Sequence, residues 1–410
     1  MSDDRIEADW LADPDLQQVL GVLSADGEQA RVVGGAIRNT LMGHPVTDID
    51  IATTALPAET MRRLTAAGIK AVDTGMEHGT VTAVIHHKGF EVTTLREDVE
   101  TDGRRAVVEF GRSWRHDAER RDFTINALYA DAQGQIFDLV GGRADIESRT
   151  VRFIGEAEAR IREDYLRILR FFRFFAWYGD GRPDAEGLKA CARLRQGAEG
   201  LSAERVWAEM RRLLDARDPT RALLWMRQSG VLSLVLPESE KWGIDGIHGL
   251  MAAERAFSWT PDAVLRLMTL MPLREATVRG LAKRWKVANV VRDRLVAAAR
   301  IGEFDPATPL DALERVLYRA DRQAVIDRLR LAIARHGPHH DATTALAALL
   351  AHAQAWQRPD FPVRGKDLLA RGHPAGPGLG ETLRALEDAW VESGFALDRA
   401  RLLEMAEARA

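Results

Sequence analysis

Two different patterns of hydrophobic and polar residues divide the chain. Up to about residue 142, short β-branched runs bounded by glycine or polar residues alternate with helical segments, which predicts a small α/β domain. Residues 96–115 are polar and contain glycine, and they predict a mobile loop over the sheet. The predicted strands are Arg31–Val33, Thr47–Ala52, Thr80–His86 and Phe90–Leu95, and the predicted helices are Pro57–Ala67 and Asp117–Tyr129.

Beyond about residue 145, strand signals almost vanish. From residue 156 to the C-terminus, apolar residues recur with the period of helices. Breaks that contain glycine or proline fall near residues 179–183, 197–202, 237–249, 302–309 and 358–365. The predicted fold class is therefore α+β. An N-terminal α/β head at residues 1–142 is followed by three all-helical parts, at residues 143–200, 201–305 and 306–410.

Composition limits the classes of protein to which the chain can belong. Its 410 residues are enough for several domains, and 46% hydrophobic and 29% charged residues are ordinary for a soluble protein. With a net charge of −4, any nucleic-acid site must be a local basic surface. The single Cys191 excludes internal disulfides and a thiolate zinc site, and no apolar run approaches the ~20 residues that span a bilayer. Since the first residues are also acidic, we expect a cytoplasmic protein without a membrane segment.

The most informative chemical signal is a pair of aspartates downstream of a glycine turn. Asp48 and Asp50 are two residues apart in a predicted strand, so their side chains point to the same face of the sheet. Convergent carboxylates of this kind hold the two divalent cations of an in-line nucleotidyl transfer, about 3.5–4 Å apart. The turn at Gly34 and Gly35 lets backbone N–H groups approach phosphates. We therefore expect a polymerase-type transferase, with Glu91 as a candidate third carboxylate; the alternative is a solvated strand edge.

A second group of polar residues lies in the predicted helix Asp117–Tyr129. Asp122 and Asn126 are four residues apart and would share one helical face, from which they can hydrogen-bond a ribose. Arg121 can meet a phosphate with its bidentate guanidinium. A surface helix with local arginine–aspartate pairs is the alternative.

A third group is a row of charged residues, Asp164, Arg167, Arg170 and Arg173, opposite an apolar stripe. That stripe consists of Leu166, Leu169, Phe172 and Phe175. A carboxylate accepts from the exocyclic amine of cytosine or adenine, and an arginine donates to the ring acceptors. UTP and GTP would leave buried groups unpaired, at about 1–3 kcal/mol each. Asp164 and Arg167 then read the base while Arg170 and Arg173 serve the triphosphate. The alternative is a solvated face with an i,i+4 pair between Glu163 and Arg167.

A fourth pattern lies near the C-terminus. Residues 365–369 and 372–380 predict a glycine–proline turn between two helices. Its backbone N–H groups can hydrogen-bond the phosphates of a nucleic acid without reading its sequence. The alternative is that the turn is a plain connection between two helices.

Taken in order, these motifs resemble the tRNA nucleotidyltransferase/poly(A) polymerase family, and within it the bacterial class II CCA-adding enzymes. The resemblance is dense to about residue 215, sparse in the middle, and returns near the C-terminus. It is carried by GGAIRN from Gly34, TDIDIAT from Thr47, HGTVTAV from His78, FEVTTLR from Phe90, RRDFTINALY from Arg120, EDYLRILRFFRF from Glu163 and GKDLLARGHPAGPGLG from Gly365.

The resemblance implies a nucleotidyltransferase head of the polymerase-beta-like type, followed by a helical neck, body and tail that hold tRNA at its 3′ end and elbow. It implies Mg²⁺ as the cofactor, CTP and ATP as substrates, and addition of C, C and A with release of pyrophosphate. The site residues that it implies are the metal ligands Asp48 and Asp50 and the nucleotide contacts Gly35, Arg38, Arg121, Asp164, Arg167, Arg170 and Arg173. It also assigns residues 96–115 to a flexible loop that helps the switch from CTP to ATP.

Other activities remain open at this point. A poly(A) polymerase shares the head, but a basic segment that such enzymes usually carry is replaced here by Thr74-Gly75-Met76-Glu77-His78-Gly79-Thr80, which favours CCA addition. An enzyme that adds only CC or only A is a second alternative. A catalytically dead RNA-binding scaffold is a third, and the intact acidic and arginine motifs disfavour it.

Overall fold

The computed structural model of the chain describes residues 4–98, 108–240, 244–337 and 340–408. Within these residues, strands are confined to the N-terminal part, as the alternating pattern predicts. They are β1 (Ala30–Val33), β2 (Asp50–Thr53), β3 (Lys70–Gly75), β4 (Thr80–Ile85), β5 (Lys88–Thr94), β6 (Arg96–Asp98), β7 (Val108–Phe110), β8 (Leu128–Ala130) and β9 (Ile136–Asp138). Seven of them form one mixed sheet in the order β3-β4-β5-β2-β1-β8-β9, while β6 pairs only with β7.

The centre of the sheet places the predicted chemistry on adjacent strands. β2 runs antiparallel to β1 and parallel to β5. In the parallel pair, Asp50 lies opposite Glu91. The three residues that follow Asp50 in β2 are buried, whereas Asp50 itself is exposed. The two carboxylates therefore stand side by side where this part of the sheet meets solvent.

Helices make up most of the remaining structure. Those up to residue 200 are α1 (Pro14–Leu23), α2 (Gly35–Met42), α3 (Pro57–Ala66), α4 (Trp114–Glu119), α5 (Gly142–Glu147), α6 (Ala157–Glu163), α7 (Leu166–Tyr178) and α8 (Ala185–Leu194). Those after it are α9 (Ala203–Leu214), α10 (Thr220–Gln228), α11 (Val231–Val235), α12 (Asp245–Ala256), α13 (Ala263–Thr269), α14 (Glu275–Arg284), α15 (Asn289–Arg300), α16 (Leu310–Arg319), α17 (Arg322–His336), α18 (Asp341–Ala355), α19 (Gly365–Leu369), α20 (Pro377–Glu392) and α21 (Arg399–Glu407). None of the described helices combines the length and apolar character that crossing a membrane requires.

The chain divides into two compact units. The first contains Met1–Leu201 and Trp225–Leu234, and the second contains Ser202–Leu224 and Val235–Ala410. The candidate metal-binding and nucleotide-contacting residues belong to the first unit, and the glycine–proline turn of residues 372–380 belongs to the second. An aromatic cluster there joins the segment after α4 to α7, because the ring of Phe123 lies 4.9 Å from that of Phe153 and 5.1 Å from that of Phe174.

The predicted fold class is confirmed, with small differences at the ends of elements. Strands are found at all the predicted positions, but β2 begins only at Asp50, so Asp48 precedes the strand. The apolar stripe Leu166, Leu169, Phe172 and Phe175 is buried along α7, as predicted. The turn before Pro377 does connect two helices, α19 and α20. Of the predicted loop 96–115, residues 99–107 lie outside the described residues.

The prediction of one helix over Asp117–Tyr129 is wrong. The helix α4 ends at Glu119, Phe123 is extended with φ −124° and ψ 145°, and a single 3₁₀ turn covers Thr124–Asn126. The chain then enters β8, which pairs with both β1 and β9. Backbone hydrogen bonds of Asp122 and Thr124 to residues 152–154, and those of β8 to its neighbouring strands, replace the helix; such distant partners are not visible in local periodicity.

Candidate active site

The glycine turn leads directly from β1 into α2. Gly34 has φ 73° and ψ −109°, a conformation that side chains rarely adopt, and it caps α2 without a side-chain hydrogen bond. A Cβ atom at this position would lie 3.2 Å from the carbonyl oxygen of Asn126. The turn therefore brings the N-terminus of an eight-residue helix, with its unsatisfied backbone N–H groups, against the 3₁₀ turn that carries Asn126.

We expect Gly34→Ala to destabilise the chain by more than about 1 kcal/mol, because alanine is strained at positive φ. The new methyl group would also push the turn away from Asn126, so the KM for nucleotide should rise. Chemical denaturation and steady-state kinetics measure the two effects. Gly21→Ala is the matched control, since a Cβ there meets no atom within 4 Å and φ is not positive. Equal stability of the two variants would contradict the role given to the turn.

Three carboxylates lie near the start of β2. Partial loss of hydration raises the pKa of the exposed Asp50 carboxyl above its ordinary value, and the negative charges of Glu91 and Asp48 raise it further. The positive charge of Arg121 acts in the opposite direction and lowers the pKa of Asp50. The acidic groups thus outnumber the nearby cation, which is the electrostatic setting that favours a bound metal ion.

The donor set fits a divalent cation with oxygen ligands. Within the described residues, no three His, Cys, Asp or Glu side chains form a group that could hold a metal by themselves. Mg²⁺ is usually bound by one or two carboxylates, with the remaining positions taken by water and substrate phosphates. Asp48 and Asp50 match that pattern, and Glu91 stands next to them.

Arg121 is held in place by a buried carboxylate. Asp117, which is 1% exposed, accepts hydrogen bonds from Nε and Nη2 of Arg121 at 3.1 and 2.9 Å. The hydroxyl of Tyr129 donates to the same carboxylate at 2.7 Å. Burial alone would lower the pKa of the Arg121 guanidinium, but Asp117 and Tyr129 raise it above its ordinary value. Arg121 is therefore a fixed, permanently charged group near the carboxylate of Asp50.

The next residue of the same segment links α7 to the head. Asp122 accepts from Nε of Arg170 at 2.8 Å and from Nδ2 of Asn126 at 3.0 Å. Burial would raise the pKa of Asp122, but the charge of Arg170 and these hydrogen bonds hold it below its ordinary value. The predicted relation between Asp122 and Asn126 is thus present as a direct hydrogen bond, although a 3₁₀ turn and not a helical face produces it.

Arg38 completes this network from α2. Its guanidinium hydrogen-bonds the side chain of Asn126, and it donates from Nη2 to the hydroxyl of Tyr178 at 2.8 Å. Burial lowers the pKa of Arg38, and Tyr178 partly restores it. Arg38 is only 7% exposed. Its side chain is therefore largely buried among protein groups, although the sequence predicts a direct contact with the nucleotide.

The predicted base-reading pair, Asp164 and Arg167, lies at the junction of α6 and α7. Asp164 precedes α7, and its Oδ1 accepts from the backbone N–H of Leu166 at 3.0 Å. Arg167 donates to the carbonyl oxygens of Arg160 at 2.8 Å and Arg120 at 3.3 Å, and it forms an ion pair with Glu163. The predicted i,i+4 pair is therefore present, and the same guanidinium contacts the segment that carries Arg121.

The structure brings the separate motifs into one connected site. Asp50 interacts with Arg121, Asp122 bonds Arg170, Asn126 bonds Arg38, and Arg167 reaches the backbone of Arg120. Arg173, the last predicted contact, has its guanidinium 4.2 Å from the ring centre of Phe174.

Two residues of this network were missed by sequence reasoning. Asp117 could have been noticed as an acid three and four residues before paired arginines, a spacing that allows salt bridges. Tyr178 offered no comparable signal, because its partner Arg38 is 140 residues away in the chain.

Comparison with known proteins identifies the family. Residues 30–152 match the poly A polymerase head domain, residues 183–242 match the probable RNA- and SrmB-binding site of polymerase A, and residues 257–406 match domain 2 of tRNA nucleotidyltransferases. The chain is 33% identical to the mitochondrial CCA tRNA nucleotidyltransferase 1 of Mus musculus, over 95% of this chain and 88% of that protein. It is 34% identical to the CCA-adding enzyme of Geobacillus stearothermophilus, over 95% and 96% of the two chains.

A solved structure agrees with these matches. The Bacillus stearothermophilus CCA-adding enzyme in complex with CTP superposes with a TM-score of 0.73 and 30% identity, covering 97% of this chain and 98% of that one. The chain therefore belongs to the family of CCA-adding tRNA nucleotidyltransferases.

Proposed function

We propose that this chain adds C, C and then A to the 3′ end of tRNA from CTP and ATP, with release of pyrophosphate. The observation that carries the proposal is the convergence of paired carboxylates, a fixed arginine and an aspartate–arginine pair in one network. These groups are Asp48, Asp50, Arg121, Asp164 and Arg167. The related Bacillus stearothermophilus enzyme was solved with CTP, which supports a nucleoside triphosphate as substrate.

The triphosphate would lie at the start of α2. The backbone N–H groups that begin at Gly35 favour negative charge, and Arg38 adds a guanidinium beneath them. Arg121 lies close enough to Asp50 to influence its pKa, so it can meet phosphate oxygens that approach the carboxylates. Such fixed positive groups supply positioning and charge stabilisation, so the reaction needs no side-chain nucleophile.

Base choice is assigned to Asp164 and Arg167. The carboxylate accepts from an exocyclic amine, which only cytosine and adenine present at that position, and the guanidinium donates to the ring acceptors. Arg170 acts through Asp122, because the ion pair between them fixes the residue proposed to face the ribose. Arg173 adds positive charge to the triphosphate side of the same helix.

Enzymes of this family generally use divalent metal ions, and we propose that Mg²⁺ is the ion used here. Asp48 and Asp50 would hold it, with Glu91 as a third carboxylate. When bound, two such ions supply charge neutralisation at the triphosphate and a lower pKa for the attacking 3′-hydroxyl.

Glu91→Gln tests the third carboxylate. Because Glu91 faces Asp50 across the β2–β5 pair, its loss removes negative charge from the metal site whether or not it is a direct ligand. We expect the Mg²⁺ concentration for half-maximal activity to rise several-fold, by about 1 kcal/mol of binding free energy. A Mg²⁺ titration of CMP incorporation measures it.

The control is Glu186→Gln, which removes the same charge from a 78% exposed side chain on α8. An unchanged Mg²⁺ requirement in Glu91→Gln would remove Glu91 from the site.

The decisive experiment distinguishes the related activities. Purified protein is incubated with tRNA lacking its 3′ end, CTP and ATP, and the products are sequenced. Full CCA ends support the proposal, whereas CC ends, single A additions or adenosine tails would assign the chain to the partial enzymes or to poly(A) polymerases. Absence of pyrophosphate release would identify an inactive scaffold.

Two further expectations complete the proposal. We assign residues 1–142 to the head, 143–200 to the neck, 201–305 to the body and 306–410 to the tail, the last two for tRNA. We also keep the cytoplasm as the expected location; one related protein is mitochondrial by name, so fractionation of cells is the test.

A further inference from the structure

A cavity of about 560 Å³ lies in the helical second unit. Its apolar walls come from the end of α13, the connection to α14, and one face of α17. They include Met268, Met271, Leu273 and Leu331. No candidate active-site residue lines it. The volume is in the range of small-molecule sites, about 300–1,000 Å³.

Among the described residues, three guanidinium groups and one carboxylate line the same cavity. The cations are Arg274, Arg328 and Arg335, and the carboxylate is Glu303. Arg335 forms an ion pair with Glu303 at 2.5 Å, whereas Nη2 of Arg328 lies 3.9 Å from it. Arg274 forms no ion pair or side-chain hydrogen bond with any residue that the structure describes. Three positive charges against one negative charge leave an excess of two at the cavity wall.

Arg328 is the best-defined of these cations. Its side chain is only 7% exposed, and its Nε donates to the carbonyl oxygen of Gly302 at 3.2 Å. Neither Nη atom donates a hydrogen bond to another described residue. Burial lowers the pKa of Arg328 and the charge of Arg335 lowers it further, while Glu303 compensates only in part. A guanidinium held this deeply normally has a hydrogen-bonded counter-charge, because its dehydration is costly.

We propose that this cavity binds a small organic anion, in which a phosphate or carboxylate is attached to an apolar ring. The anionic group would contact Arg328 and Arg335, with the exposed Arg274 adding positive charge at the rim. The apolar part would lie against Met268 and Leu331. Because guanidinium groups lie next to an apolar wall, the cavity favours a ligand that has both an anionic group and an apolar ring.

The test uses the full-length protein and three probes: phenyl phosphate, benzoate and inorganic phosphate. Isothermal titration calorimetry measures each affinity in the absence of tRNA. We expect phenyl phosphate or benzoate to bind at least about tenfold more tightly than inorganic phosphate, because only the organic anions bury a ring. The comparison of phenyl phosphate with benzoate identifies the preferred anionic group.

Variants assign the binding to this cavity. Arg274→Gln/Arg335→Gln removes two exposed guanidinium groups and should weaken the organic anion about tenfold or more. The matched control, Arg279→Gln/Arg292→Gln, removes the same charge from exposed positions outside the cavity and should bind like wild type. Arg328→Lys keeps the charge but loses the fork and should also weaken binding, with circular dichroism as the check on folding.

Several outcomes would overturn the proposal: no binding of either organic anion, equal affinity for inorganic phosphate, or equal loss in the control variant. A higher KM for tRNA in Arg274→Gln/Arg335→Gln, without anion binding to wild type, would make the cavity part of an RNA surface instead.

Discussion

Asp50→Ala is expected to reduce kcat for CMP incorporation about a thousandfold or more, while tRNA still binds, because several kcal/mol of transition-state charge stabilisation are lost. Asp50 begins β2 at the point where the sheet meets solvent, and its neighbours Asp48 and Glu91 share its charge environment. Asp48→Ala should have a similar effect. Single-turnover incorporation into tRNA lacking its 3′ end measures the rate, and a filter-binding assay measures tRNA affinity.

A second measurement separates loss of metal binding from loss of structure. Mg²⁺ with CTP should raise the melting temperature of the wild-type protein, since a ligand that binds only the folded state stabilises it. The same addition should have little effect on Asp50→Ala. The matched control is Glu77→Ala, which removes an 84% exposed carboxylate from the same unit and should keep both activity and stabilisation. Near wild-type extension by Asp48→Ala or Asp50→Ala would show that the metal ligands lie elsewhere.

The parts of the site that could be predicted are those that local sequence determines. The spacing of two draws attention to Asp48 and Asp50, but the strand starts only at Asp50, so the shared face stays a prediction; the structure shows that the charge of Asp48 raises the pKa of Asp50. The burial of the apolar stripe of α7 could be predicted because its apolar residues are three positions apart, and residues at this spacing lie on one side of a helix. The glycine turn was recognisable because few other residues tolerate the conformation of Gly34.

The contacts that assemble the site could not be predicted in this way. Arg170, predicted to serve the triphosphate, is bonded in the structure to Asp122, 48 residues earlier, a partner that the spacing along α7 does not indicate. Arg38 meets Asn126 and Tyr178, which are 88 and 140 residues away. Such partners are chosen by tertiary packing, and no periodicity in one segment encodes them. The same reason explains the wrong helix at Asp117–Tyr129, where pairing with β1 overrides local preference.

Asp164→Ala is expected to reduce the preference for CTP and ATP over UTP and GTP by about tenfold to a hundredfold, because a carbonyl oxygen of the wrong base would no longer face a carboxylate without a donor between them. On the proposed assignment, wild-type protein should reject UTP and GTP because their carbonyl oxygens would face the carboxylate of Asp164. Alanine removes that penalty and the favourable hydrogen bond together, so the loss should appear both as slower CTP use and as faster UTP use. The kcat/KM of each nucleotide, offered separately, measures the change.

The carboxylate also caps the first turn of α7, because its Oδ1 accepts from the N–H of Leu166. Asp164→Asn separates the two roles. The amide keeps the cap but offers a donor as well as an acceptor, so it should accept UTP and GTP better than Asp164→Ala does. Glu186→Ala, which removes a 78% exposed carboxylate from α8, should leave base choice unchanged. If Asp164→Asn kept the wild-type preference, base selection would have to come from other groups on α7, such as Arg167.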